Sequence, residues 1–318
     1  MHYRRLGDAG MKVSAVSIGS WINFEEGKSL GDEPRRIIAR AYELGVNFFD
    51  TADIYGKGSA ERQLGEMLKP FPRHTLVVST KVFRDMSDDV NDRGLSRKHI
   101  MESIDKSLQR LQMDYIDIYF CHRADHETSM LETVRAMDDL IHKGKILYWG
   151  TSEWDAKDLA EALRVCEKHN LHKPQTDQPQ YSLLFRQRVE HEILPLAQPA
   201  GIGLVPYSPL AYGLLTGKYD NGIPDDSRFA KETWSKDRML TAEAVERVMR
   251  LKPIADRLGL TRAQVALAWL LRQPGVSSVI TGATKISQIE ENAQAADITL
   301  APDVLADIDA IFPAGVRA

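Results

Sequence analysis

The sequence predicts an α/β protein whose eight parallel strands alternate with helices and close into a (β/α)8 (TIM) barrel, and three observations carry that expectation. Short apolar runs of strand length alternate with amphipathic runs of helix length along 318 residues. Three successive apolar runs finish in polar groups, Asp50, Lys81 and His122, and in a parallel barrel such ends meet on the one face where chemistry is placed. The glycine-rich turn that an open doubly wound sheet shows after an early strand is missing, since its nearest match, Gly201-Ile202-Gly203, precedes a strand and has Pro206 at the third glycine position. A Walker A run is absent as well.

The first element is a hairpin, two short extended pieces over 3–14 around the turn chemistry of Gly7-Asp8-Ala9-Gly10. A strand over 16–19 follows, then a helix over 33–44 closed by Gly45, a residue able to take positive φ at a helix end. Phe48 and Phe49 make a brief buried strand, 60–68 a helix, and 76–81 the next strand. Ile100, Ile104, Leu108 and Leu111 recur at helical spacing behind Ser96 as N-cap, which predicts a helix over 96–111. The alternation continues with a strand at 115–122, a helix over 130–143, a strand over 146–150 and a helix over 155–170. A strand over 175–178, a helix over 190–197 and a strand over 203–207 come next. An interruption runs from 208 to about 240, helices near 242–257 and 262–271 precede the last strand, 276–281, and helices over 287–295 and 303–312 follow it. No repeat, linker or low-complexity tract breaks the pattern, so a single domain over 1–318 is expected.

Lys and Arg total 41 against 45 Asp and Glu, a net charge of −4 with no long run of either sign, so nucleic acid is not an expected partner. The two cysteines, Cys121 and Cys166, are too few for a disulfide framework and point to a reducing compartment. Cys121 adjoins His122, so its thiol should face the opposite way along the strand, into the barrel wall, as a plain buried thiol rather than a redox sensor. Met1-His2-Tyr3-Arg4-Arg5 has no apolar signal core behind its charges, and no apolar run approaches the roughly 20 residues that span a bilayer. A cytoplasmic protein without membrane insertion is expected.

The stretch from Gly45 to Gly56 passes from a helix end through the Phe48-Phe49 strand into a polar loop, so a carboxylate, Asp50, and a phenol, Tyr55, leave one strand end together. A phenol keeps its proton to about pH 10 and a lysine to about 10.4, so neither alone is a good donor at neutral pH. A buried ammonium beside a phenol stabilises the phenolate, and a carboxylate beside that ammonium keeps it charged. Lys81, the one charged residue of 76–81, supplies the cation, and His122 ends the following strand. Each has a plainer reading by itself: Tyr55 packs on the rim with its hydroxyl paired, and Lys81 reaches water. Four such residues at three consecutive strand ends favour a shared site. His122 with Asp125 and His126 also spells His-x-x-Asp-His, two imidazoles and a carboxylate of the kind a barrel metallohydrolase uses. No further histidine-rich strand end completes that set, and no metal is expected.

The run 47–56, Lys81, His122, Gly150-Thr151-Ser152 and Pro206-Tyr207-Ser208-Pro209-Leu210, in this order, resemble the aldo-keto reductase superfamily over essentially the whole chain. Ser208-Pro209-Leu210-Ala211, Gly217-Lys218-Tyr219, Gly282-Ala283-Thr284 and Glu291-Asn292 look most like its branch of potassium-channel β-subunits and their bacterial relatives. The resemblance implies a hairpin plugging the barrel bottom and NADPH-dependent reduction of small or aromatic aldehydes, and of some ketones, by hydride transfer. Position by position it makes Tyr55 the proton donor, Lys81 the neighbour that lowers its pKa, Asp50 the partner that orients Lys81, and His122 the donor that orients and polarises the carbonyl.

For the cofactor the resemblance places Ser152 and Gln178 on the nicotinamide amide, with Glu153 standing where many relatives carry Asn, and stacks Tyr207 on the ring. The plainer reading of Tyr207 is a core aromatic at a strand end, and its Ser-Pro-Leu sequel favours stacking. Trp21, Ser208, Leu210, Gly213, Lys218 and Arg228 belong to the part that covers the dinucleotide, the two cations suiting a 2′-phosphate, although alone they read as ordinary surface charge. Gly282, Thr284, Gln288, Glu291 and Asn292 belong to the adenosine end, at a strand-to-helix turn whose dipole favours phosphate. Trp21 and Phe24, Phe83 and Met86, and Tyr212 are candidates to wall a small-molecule carbonyl substrate, though aromatic rim residues serve equally as contacts in a homo-oligomer. Channel-associated relatives carry a long segment ahead of the barrel, whereas Tyr3 already stands in the first hairpin, which favours a free-standing enzyme over a cofactor-carrying regulatory subunit.

Overall fold

A two-stranded hairpin comes first in the chain: β1 (Tyr3–Arg5) and β2 (Lys12–Ser14) pair antiparallel with Tyr3 opposite Ser14. The structure is a computed structural model that describes residues 1–21, 32–231 and 236–315. After the hairpin come eight parallel strands: β3 (Val16–Gly19), β4 (Phe48–Asp50), β5 (Val77–Val82), β6 (Ile116–Cys121), β7 (Ile146–Ser152), β8 (Thr176–Gln178), β9 (Gly203–Leu204) and β10 (Val279–Thr281). They lie side by side in chain order, with β10 against β3. Parallel bridges from Leu204 to Val276 and from Tyr207 to Ile280 join the last two strands, helped by Ser277 N donating to Leu204 O (2.8 Å) and Ile280 N to Pro206 O (2.9 Å). The ring is thus a (β/α)8 barrel, as the alternation predicts.

Helices fill the crossovers. α1 (Glu33–Glu43), α2 (Ser59–Leu68), α3 (Arg97–Leu111), α4 (Met130–His142) and α5 (Ala156–His169) follow the first five barrel strands, and α6 (Leu194–Ala197) the sixth. Their ends obey the residues found there: Ser96, Ser129 and Asp155 each accept a backbone N–H of the first turn. Gly45 takes φ +87° just past α1, which lets the chain reverse into β4. Two helices depart from the sequence pattern, and proline explains both. The helix expected over 242–257 is broken into α9 (Ala242–Arg250) and α10 (Lys252–Leu258) because Pro253 lacks the N–H that a continuous helix needs. The helix expected over 190–197 opens as a wide π turn, Val189–Ile193, before Pro195 starts α6. Between β9 and α9 the chain makes a 3₁₀ segment, Ala211–Thr216, and two single turns, α7 (Arg228–Lys231) and α8 (Lys236–Met239). α11 (Arg262–Leu271) is buried from Ala263 to Leu271, and α12 (Ile286–Gln294) and α13 (Pro302–Ile311) pack after β10.

Strand alternation sets the interior. Phe48, Val77, Ile118, Phe120, Val205 and Ile280 face the barrel axis and pack on Leu6, Ala9 and Val13 of the hairpin, which plugs the bottom. Their neighbours Phe49, Val78, Val82, Tyr119 and Cys121 face outward onto helix residues such as Ile37, Leu64, Ile100 and Val134. Cys121 is therefore a wall residue, fully buried, as its place beside His122 predicts.

Candidate active site

The period of two that aims Phe48, Val77 and Phe120 inward also aims Asp50, Ser79, Lys81 and His122 inward, at the end of the barrel opposite the hairpin. Lys81 is fully buried and its Nζ donates to Asp50 Oδ2 at 2.6 Å and to Thr51 O at 2.7 Å. Asp50 Oδ1 accepts from Ser79 Oγ (2.6 Å) and from Gln178 Nε2 (3.0 Å), so both oxygens of this buried carboxylate are hydrogen-bonded. Tyr55 comes from a 3₁₀ segment, Tyr55–Gly58, in the loop after β4. Its ring centroid lies 5.1 Å from Lys81 Nζ and 6.0 Å from the His122 ring, which meets it edge-on at 79°. The four residues expected at three strand ends do come together.

Burial, rather than the ammonium, governs the phenol. Desolvation pushes the Tyr55 pKa well above its ordinary value, and the negative charge of Asp50 pushes the same way. The net shift is upward, opposite to the lowering expected from Lys81, whose ammonium is bonded to Asp50 at 2.6 Å. Burial also lowers the Lys81 pKa, against the opposing pull of Asp50. His122 is held well below its usual pKa by burial and by Lys81, Arg123 and Arg84, so the imidazole is neutral at physiological pH. Its Nδ1 is buried without a hydrogen-bond partner among the described residues.

From this mouth a cleft of about 610 Å³ runs outward to α12. Asp50, Tyr55, Gln178 and Tyr207 form its inner end, with Trp21 6.2 Å from the Tyr55 ring. Ser208, Leu210, Gly213, Lys218 and Arg228 form its middle, and Gly282, Thr284, Gln288, Glu291 and Asn292 its outer end. The residues fit an elongated anionic ligand: two cations stand midway, and a Cβ at Gly213 (φ +89°) would meet Lys218 Nζ at 2.6 Å, so the glycine leaves room for that ammonium. At the outer turn Gln288 Oε1 accepts from Thr284 N (2.8 Å), while the Glu291 carboxylate accepts from Thr261 Oγ1. Arg228 is found between two rings, its Cζ 4.5 Å from Trp21 and 4.4 Å from Tyr212. Ser152 is buried behind the cleft, its Oγ donating to Gln178 O (3.0 Å). Glu153 takes φ +57° and turns away to accept from Gln180 N (2.6 Å). Phe83 and Met86 do not line the cleft, and Phe24 lies outside the described residues.

The aldo/keto reductase family profile matches residues 15–312. The chain belongs to the aldo/keto reductase family. A probable voltage-gated potassium channel subunit beta from Arabidopsis thaliana is 47% identical over 98% of this chain and 97% of its own length. One from Oryza sativa subsp. japonica is 46% identical over 98% of this chain and 96% of its own length. Membership makes oxidoreductase chemistry with a nicotinamide dinucleotide the family expectation for this cleft.

Within this aldo/keto reductase the alternative ligand set does not assemble. Asp125 accepts from Leu95 N (2.7 Å) and Thr128 Oγ1 (2.8 Å), and His126 is exposed beside Asp158. Among the described residues, the histidines and carboxylate that do converge are Asp138, His142 and His172, on the flank between α4 and β8. Sequence reading missed Thr216, Asp226, Lys231 and Thr261, which also line the cleft. They stand on separate turns with no shared spacing, so only the folding of 211–231 against α11 and α12 reveals them. No helix among the described residues is long and apolar enough to cross a membrane.

Proposed function

We propose that this aldo/keto reductase reduces aldehydes and some ketones to alcohols with NADPH, Tyr55 giving the proton to the carbonyl oxygen. The observation that carries the proposal is the buried Lys81–Asp50 pair at 2.6 Å beneath the Tyr55 ring, at the inner end of a cleft of about 610 Å³ that runs to α12. When bound, the reduced nicotinamide supplies the hydride that reaches the carbonyl carbon. Tyr55, Lys81, Asp50 and His122 do the rest. A phenol held protonated by burial keeps its proton in reserve at neutral pH and releases it to an oxygen that becomes basic only as the reaction proceeds. Once the proton has left, the phenolate is stabilised by the Lys81 ammonium, whose direction Asp50 and Thr51 O fix. Neutral His122 donates one N–H to the same oxygen and so orients it. Gln178, braced from behind by Ser152, holds the amide of the nicotinamide, Tyr207 stacks on its ring, and Lys218 and Arg228 hold its phosphates, with Arg228 assigned to the 2′-phosphate.

The test is oxidation of NADPH by 4-nitrobenzaldehyde with and without a chelator. Turnover indifferent to chelator, lowered by about 10²-fold or more in Tyr55→Phe with NADPH affinity retained, supports the assignment. Unchanged turnover in that variant removes Tyr55 from the mechanism. The names of the plant relatives favour one other reading, a regulatory subunit that carries the cofactor with little turnover. Tight NADPH binding with no reduction of any aldehyde would support that reading instead.

A further inference from the structure

On the flank of the barrel, a carboxylate and two imidazoles meet from two separate places in the chain. Asp138 and His142 are four residues apart in α4, so they share one face of its last turn. His172 joins them from the turn between α5 and β8, and one ligand atom from each of the three lies within 4.8 Å of the others. His172 Nδ1 is 2.7 Å from Asp138 Oδ1 and His142 Nδ1 is 3.3 Å from Asp138 Oδ2, while the two imidazole centroids stand 5.3 Å apart with their planes at 66°. His142 Nδ1 also donates to Asp138 O at 2.9 Å. Because α4 ends just before β7 begins and His172 stands just before β8, the cluster belongs to the end of the barrel opposite the mouth.

The surroundings hold the three groups in place. Asp138 is buried, and the backbone of His172 is braced on both sides: its N donates to Asp138 Oδ1 (2.8 Å), and its O accepts from Trp149 Nε1 (2.8 Å) and Cys166 Sγ (3.5 Å). Such supporting bonds behind a ligand are what orient it toward an ion. Burial alone would raise the Asp138 pKa, but the hydrogen bonds from His172 and the two nearby imidazoles hold it below its ordinary value, so the carboxylate is ionised at neutral pH. Among the described residues no lysine or arginine is ion-paired with Asp138, whose charge meets only the two histidines. The C-terminus of α4 adds the partial negative charge of its last carbonyls, which favours a cation there. Both histidines are exposed, so an ion reaches them directly from solvent.

We infer that Asp138, His142 and His172 form a zinc site that clamps the end of α4 to the turn before β8. Two imidazole nitrogens and a carboxylate oxygen suit this borderline-soft ion, whereas magnesium and calcium take sets of oxygens. Bonds of about 2.0–2.2 Å to a tetrahedral ion place ligand atoms about 3.3 Å apart. The present 2.7 and 3.3 Å therefore need only small rotations of exposed rings. Each imidazole then carries its proton on Nε2 and offers Nδ1 to the ion, and water completes the fourth position. The site lies at the other end of the barrel from Tyr55, so it stands apart from the reductase reading and leaves turnover indifferent to chelator.

Calorimetric titration of chelator-stripped protein with zinc chloride should show one saturable site per chain. Saturating zinc should also raise Tm, since a ligand of the folded state stabilises that state by mass action. His142→Ala and His172→Ala, made separately, should each weaken zinc by at least about 10- to 100-fold, the loss brought even by removing a ligand's supporting partner, and should cancel the Tm shift. Both delete exposed side chains, and circular dichroism matching the native protein shows each variant folded. His126→Ala, at an exposed histidine outside the cluster, should change neither reading. No saturable zinc binding by the native protein, affinity unchanged in both cluster variants, or an equal loss in His126→Ala would each overturn the inference and leave the three side chains as a hydrogen-bonded brace.

Discussion

Replacing Lys81 by Met tests the electrostatic centre of the site without relying on catalysis. The substitution keeps an unbranched chain of similar reach in a fully buried position but deletes the donor to Asp50 Oδ2 and Thr51 O. Asp50 retains Ser79 Oγ at 2.6 Å and Gln178 Nε2 at 3.0 Å, two hydrogen bonds but no countercharge. Removing one partner of a buried ion pair costs about 3–5 kcal/mol, because the other charge is left unpaired in a poorly polarisable interior. The loss should depend on pH. Without its cation Asp50 acquires a raised folded-state pKa, so its contribution is intact in acid and is lost as pH rises through that value. The deficit relative to the native protein, read by urea unfolding, should therefore be larger near about pH 8 than near about pH 5. Lys81→Met with Asp50→Asn removes the uncompensated charge while preserving an acceptor for Ser79, and should recover about 2 kcal/mol of the loss. A double variant as unstable as Lys81→Met alone, with no pH dependence in either, would refute the idea that Asp50 and Lys81 hold each other charged.

Two other outcomes follow from named groups. Asp177 is fully buried, accepts from Thr151 Oγ1 at 2.7 Å, and has its pKa pushed up by burial from 3.8 to about 7. The folded protein thus binds this proton more tightly than the unfolded chain, so stability is greatest below pH 3.8 for this group and falls as pH rises to about 7. At about 1.4 kcal/mol per pH unit the interval is worth about 4 kcal/mol. Asp177→Asn should flatten that part of the stability–pH curve, and parallel curves for the two proteins would contradict it. Arg228→Ala should weaken NADPH more than NADH if its guanidinium meets the 2′-phosphate, whereas equal losses by calorimetry would place it on the pyrophosphate, nearer the Trp21 and Tyr212 rings it touches here.

The barrel and its inner chemistry were legible because both depend on short-range order. Alternation within Phe48-Phe49-Asp50 and within 116–122 fixes which side chains point to the axis, and the same period that buries Phe120 aims His122 at the mouth. Caps at Ser96 and Asp155 set helix starts within a residue, since an N-cap acts on its own first turn. Where the reading failed, a longer range was at work. Pro253 splits one expected helix, and the expected lowering of the Tyr55 pKa gives way to burial, a quantity no local pattern encodes.

The sequence by itself determined that a carboxylate, a phenol, an ammonium and an imidazole stand at successive strand ends, because side-chain direction in a strand is a matter of counting. Only the tertiary structure decided what each touches. Gln178 reaches Asp50 across 128 residues, and the loops of 211–231 meet α12 to complete the cleft. Those contacts follow from closing the ring, which brings distant strand ends into one small volume and removes the water that would otherwise screen their charges.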